Sequence, residues 1–229
     1  MTASLSLAGL RTARRWRDPQ PSLLLKALGI DLDDLRFVRL KQSLWQGDPL
    51  ADAVAAWIHA NKGGWQLFQR ALEQGVASLE APPESFRAFF AHIEQRPAWV
   101  NDELMHQGAH AVLRSGLLGT TALGSVSLMI DYAADAAVKP LAMTGNLSGG
   151  AKKRLSETSR WTIDCALSQT LPRDSEGFRS TVRVRLMHAF IRGSLRQRPD
   201  WRFEDWGDPI MQLDMVATQL EFSTIFMAD

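Results

Sequence analysis

Apolar positions recur at helical rather than strand spacing along most of the chain. Val54, Ile58, Trp65, Phe68 and Leu72 fall on mostly helical intervals between Leu50 and Leu79, and Gly63-Gly64 marks a break. Pro82-Pro83 punctuates the chain, and the pattern predicts a helix over 84–93 and another over 102–118, with Pro97 between them. Strand alternation is nearly absent, and its nearest case is the short run Leu35-Arg36-Phe37-Val38-Arg39-Leu40. The fold class expected is all-α.

The second half carries clearer start and stop signals. Thr144-Gly145-Asn146-Leu147-Ser148-Gly149-Gly150 is a loop of turn formers, and a helix over about 151–171 follows, with Ser148 as its expected N-cap. Pro172 stops that helix. Asp174 or Ser175 can cap a second one running to about Gln197, and Pro199 closes it. Asp208-Pro209 reads as an N-cap followed by proline at the first helical position, opening a third helix to about Thr224. The sixteen uncharged residues between Arg114 and Asp131 contain three glycines and fall short of a membrane span, so they read as a buried helix.

Composition adds little to the fold and more to the chemistry. The chain has 229 residues, 45% of them hydrophobic, enough for one sizeable core. Eight Trp and ten Phe against one Tyr suit an ordinary helical core, or the walls of an apolar cavity. The net charge is +1 but unevenly spread: Lys152–Arg202 holds twelve Lys/Arg against five Asp/Glu, a local charge of +7. Such an excess asks for an anionic partner or a solvated helix surface. One cysteine, Cys165, excludes an internal disulfide, and Arg14-Arg15 is not followed by the apolar stretch a signal requires. The expected location is cytoplasmic.

Several chemical motifs fail. Only His106 and His110 among the five histidines have i, i+4 ligand spacing, and Gln107-Gly108-Ala109 between them lacks the glutamate of a zinc protease, so no metal is expected there. Gly145 to Lys152 lacks the lysine of a phosphate-binding loop, because Ala151 stands in its place. A more suggestive grouping lies further on. At 3.6 residues per turn Arg185, His188 and Arg192 lie at about 0°, −60° and −20° on one helical face, which Thr181 and Leu195 share. Arg154, Thr158 and Thr162 share a face of the preceding helix with Trp161 and Cys165. The loop between the two helices is short, so they are expected to be antiparallel neighbours whose polar faces meet. Arginines facing inward must meet anions, and an inward histidine can ligate a metal. A solvent-exposed stripe remains the plainer alternative.

Three segments carry a family resemblance. Lys139-Pro140-Leu141-Ala142-Met143-Thr144-Gly145 with Arg154-Leu155-Ser156-Glu157-Thr158 is the first. Val182 to Arg192 is the second, and Trp206-Gly207-Asp208-Pro209-Ile210-Met211-Gln212 with Phe222-Ser223 is the third. In order and spacing they resemble the MpaB/rubber-oxygenase (latex-clearing protein) catalytic domain, most strongly from about Pro97 to Ser223. The resemblance implies a single helical bundle with a globin-like core, spanning 47–229 after an N-terminal extension over 1–46. It also implies a chain cut short at the C-terminus, since relatives continue beyond the counterpart of Phe222-Ser223.

The resemblance further implies a b-type haem with iron held by His188. Arg154 and Thr158 lie near the haem as catalytic and cofactor-binding residues, and Arg185 and Arg192 belong to the same cofactor-binding signature. The function implied is a haem-dependent oxygenase that uses dioxygen on an apolar small molecule, with no nucleic-acid partner. Glu157 stands where rubber-cleaving members carry a lysine, and no residue matches the glutamate proposed as their catalytic base, which speaks against polyisoprene as the substrate. From another class comes the alternative of a non-catalytic helical module using its basic Lys152–Arg202 segment for an anionic partner. A haem-binding homologue without catalysis is a third. Inward arginines favour the cofactor, and an exposed stripe favours nucleic acid.

Overall fold

A computed structural model describes residues 39–40, 42–123, 135–145 and 150–220. The described residues are helical throughout their regular elements and contain no strand, as the periodicity predicts. The helices are α1 (Pro49–Ala60), α2 (Gly64–Gln74), α3 (Glu84–Glu94), α4 (Asp102–Ala122), α5 (Asp135–Met143), α6 (Ala151–Leu167), α7 (Glu176–Arg196), α8 (Phe203–Trp206) and α9 (Gln212–Leu220), with short 3-10 turns at Ser43–Trp45 and Val76–Ser78. Of the strand-like run over 35–40, residues 35–38 lie outside the described residues and Arg39 and Leu40 are helical; Ser148 and Phe222-Ser223 also lie outside.

α7 is the central element. It packs against α1 on one side and α6 on the other, while α6 also packs against α4. Val182, Leu186 and Ala189 of α7 enter one core with Val54 of α1, Phe68 and Leu72 of α2, and Phe86, Phe89 and Phe90 of α3. Phe68 stands at its centre, with ring centroids 5.8 Å from Phe86 and 5.7 Å from Phe90. Four of the ten phenylalanines, Phe68, Phe86, Phe89 and Phe90, are here core, packed on one another.

Local chemistry explains most boundaries. Asp48 caps α1 by accepting from the Ala51 N–H at 3.1 Å, with Pro49 at the first position. Ser175 caps α7, accepting from the Phe178 N–H at 3.2 Å. Ser175→Ala should cost about 1 kcal/mol of stability, read as a shifted urea midpoint with an unchanged slope. No shift would mean that water serves the cap equally well.

Three boundaries differ from the sequence reading. α6 ends at Leu167, four residues before the expected stop, and Gln169 and Leu171 adopt left-handed backbone with φ of 52° and 51°. Asp208 does not cap a helix, because its carboxylate is drawn to Arg196 at 2.5 and 2.8 Å, and the last helix starts only at Gln212. The turn before it depends on Gly207 (φ 79°): a Cβ there would lie 2.6 Å from the Leu44 carbonyl oxygen. The expected buried helix after Arg114 bends at Gly116 and leaves Leu117 and Leu118 more than 80% exposed.

Candidate functional site

The polar faces of α6 and α7 meet in part, at Thr181 and His188 of α7. The Trp161 indole N–H donates to the Thr181 hydroxyl at 2.9 Å, and the Cys165 sulfur lies 3.4 Å from the same oxygen. Thr181 itself donates to the Gly177 carbonyl one turn back at 2.8 Å. These contacts fix the rotation of α7 against α6. Two turns further along α7, His188 comes within the electrostatic reach of Arg154 on α6. Arg154 and Thr158 are half-buried, one turn apart.

His188 is mostly buried while its residue surface stays partly accessible. Burial pushes its pKa down to about 4, and the charges of Arg192 and Arg154 act in the same direction. The imidazole is therefore neutral at physiological pH. Its ring nitrogens take no hydrogen bond among the described residues. A neutral, largely buried imidazole without a hydrogen-bond partner is chemically suited to a metal, since ligation requires the neutral form and satisfies one nitrogen.

The arginines of the same face turn toward α1. Arg185 holds Asp48 in a two-pronged pair at 2.6 and 3.0 Å. Arg192, 1% exposed, reaches Asp52 at 2.7 Å and donates to the Ile210 carbonyl at 2.8 Å. Arg196, one turn on, bridges Asp52 at 2.8 Å and Asp208. Together these bonds tie α1, α7 and the turn before α9 into one ladder. Gly47 lies directly on it: a Cβ at that position would approach Arg196 Nη2 to 2.6 Å and Arg192 Cδ to 2.9 Å.

The anions that the inward arginines demanded thus include Asp48 and Asp52, which the sequence reading did not single out. A signal was present. Asp48 and Asp52 are spaced i, i+4, as are Arg192 and Arg196. The uneven charge has the same explanation, because Arg173 likewise meets Glu94 at 2.6 Å and Arg202 meets Asp205 at 3.2 Å. Within the basic segment, Arg160, Arg183 and Arg198 pair with Asp164, Glu176 and Asp200. Much of the +7 is therefore neutralised inside the chain.

The Asp48 carboxyl titrates below its ordinary value. Burial works to raise its pKa, but the hydrogen bond from Arg185, the Ala51 N–H and the charges of Arg185 and Arg192 together overcome it. With a folded pKa below the unfolded one, Asp48 stabilises the fold fully above about pH 4 and loses that contribution as pH falls through the folded value. Asp48→Asn should cost about 1.5–3 kcal/mol at neutral pH. Its stability deficit against wild type should shrink in denaturation series below pH 4. A deficit that stays constant down to pH 2 would contradict the assignment.

Comparison with known proteins agrees with the motif reading. Residues 118–228 match the family described as ER-bound oxygenase mpaB/B′/Rubber oxygenase, catalytic domain, so the resemblance to that family is shown. The matched stretch contains Arg154, Thr158, Arg185, His188 and Arg192, but not Asp48 and Asp52, the partners of Arg185 and Arg192. A curated relative is the Rubber oxygenase of Streptomyces sp. (strain K30), 25% identical over 219 residues, which cover 90% of this chain. The chain spans about half the length of that relative, 50%. No solved structure matches the chain significantly. Among the described residues no helix is long and apolar enough to cross a membrane.

Proposed function

We propose that the protein is a haem b-dependent oxygenase acting with dioxygen on an apolar organic molecule, with His188 as the iron's protein ligand. One observation supports this above the others. His188 is mostly buried, neutral and without a hydrogen-bond partner among the described residues, on the stretch that matches an oxygenase catalytic domain. Haem, when bound, supplies the capacity to bind and activate dioxygen.

The chain's own residues supply placement and charge. The neutral His188 would hold the iron through a ring nitrogen. Arg154 adds a positive charge beside that position, suited to an anionic group of cofactor or oxygen, and Thr158 offers a hydroxyl one turn away. Arg185 and Arg192, paired with Asp48 and Asp52, act mainly by holding α7 at a fixed depth. Residues 47–229 are read as one unit, because α1 and α7 share a core and an ion-pair ladder. Glu157 pairs with Lys153 at 3.7 Å on the exposed side of α6, away from a catalytic role.

The test is an absorption spectrum of the purified chain before and after haemin addition. A Soret band saturating at one haem per chain, with the visible bands of an imidazole-ligated iron, is the expected result. Absence of uptake by a chain that dichroism shows to be folded would refute it. The anionic-partner alternative has less to support it, since most arginines of the basic segment, Arg185, Arg192 and Arg196 among them, already hold carboxylates.

A further inference from the structure

A second imidazole site lies on α4, remote in sequence from His188. His106 and His110 stand one turn apart, with ring centroids 4.5 Å from each other and planes inclined at 42°. They line an open depression of about 490 Å³ together with Gln107, Ala111 and Arg114. Helical spacing alone makes such a pair unremarkable, and the sequence expected no metal there. The fold adds a third residue. Gln169, just past the end of α6, places its side-chain oxygen 3.0 Å from His106 Nδ1.

That contact favours one tautomer. An amide oxygen can only accept, so the proton sits on His106 Nδ1 and the lone pair on Nε2. A carbonyl that orients a histidine through one nitrogen and leaves the other to a metal is the usual outer support of imidazole ligation. Gln169 adopts a left-handed backbone with φ 52°, unfavourable for a side chain of its type, and from there reaches across to α4. The ring separation is compatible with a shared ion. Two imidazoles on one tetrahedral ion at about 2.1 Å have centroids about 5 Å apart, close to what the free rings already show.

We infer that His106 and His110, with Gln169 orienting His106, form a surface site for an imidazole-preferring divalent cation of the zinc, nickel or copper class. Two protein ligands leave the remaining positions to water, so the ion exchanges readily. The absence of a glutamate between the histidines removes the general base of a hydrolytic zinc site. Arg114 on the same face opposes the cation. The C-terminal end of α6, with the negative end of its dipole beside Gln169, partly offsets that charge.

Calorimetric titration of the full chain, freed of metal, with Zn²⁺ alone reads the site directly. One ion per chain is expected. His106→Ala or His110→Ala should weaken binding by more than about tenfold, and Gln169→Leu by about tenfold through the lost orienting bond. Arg114→Ala should tighten it by roughly twofold to fivefold, as repulsion is removed. All four positions are on the surface, and dichroism checks the fold of each variant. Imidazole ¹⁵N spectra of the wild type give a second reading: His106 should carry its proton on Nδ1, and Zn²⁺ should shift Nε2. The inference is overturned if the wild type takes up no zinc, or if the double histidine variant still binds it equally well. It is also overturned if the spectra place the proton on Nε2. Weaker zinc binding in Arg114→Ala would overturn it likewise, since a cation site requires that Arg114 oppose the ion.

Discussion

In haemin-reconstituted protein, His188→Ala is expected to lose the imidazole-ligated Soret and visible spectrum, leaving either no cofactor or a loosely held one. The effect should be near complete, because iron held by one protein imidazole has no other protein ligand to fall back on. His92→Ala, His106→Ala and His110→Ala should leave the spectrum unchanged, since none of these residues lies on the α6–α7 faces. The competing account is a core histidine satisfied by a backbone carbonyl. No such bond to His188 exists among the described residues. Retention of the wild-type bands at full occupancy in His188→Ala would place the ligand elsewhere.

The second large effect concerns the ion-pair ladder. Asp52 accepts from both Arg192 and Arg196, and Arg192 is buried. Asp52→Ala strands a buried guanidinium, and losing one member of a buried pair typically costs about 3–5 kcal/mol. For a chain of this size that is a fall in melting temperature of roughly 6–20 °C. Arg192→Met with Asp52→Leu, which removes both charges and keeps bulk, should recover a substantial part of the loss. The pair of variants separates charge from packing: if Asp52→Ala and the double substitution are equally unstable, the ladder acts through volume and not through charge. Because the Asp52–Arg192 pair fixes α7, which carries His188, Asp52→Ala should also reduce haem retention after reconstitution.

Why α7 was legible and its partners were not follows from the range of the forces involved. Capping, proline placement and apolar periodicity act within a turn or two of backbone, and they located α3 and α7 to within a residue or two and the break between α1 and α2 at Gly63-Gly64. They failed where a distant partner outbid the local one. Asp208 looked like a cap until Arg196, twelve residues away, took its carboxylate. α6 looked continuous to Pro172, but its end frays into left-handed turns at Gln169 and Leu171, with Gln169 reaching α4.

The sequence by itself determined the helical class, the central helix with His188, Arg185 and Arg192 on one face, and the family resemblance that names the candidate chemistry. Period, cap and motif are one-dimensional quantities, and a chain expresses them before it folds. Only the tertiary structure decided what the arginines bind. Asp48 and Asp52 lie about 140 residues upstream of Arg185 and Arg192, and nothing in a linear spacing states which of 25 acidic side chains a given cation will meet. That pairing comes from the depth at which α7 settles between α1 and α6. There the cost of burying an unpaired charge leaves the nearest carboxylate as the only stable partner.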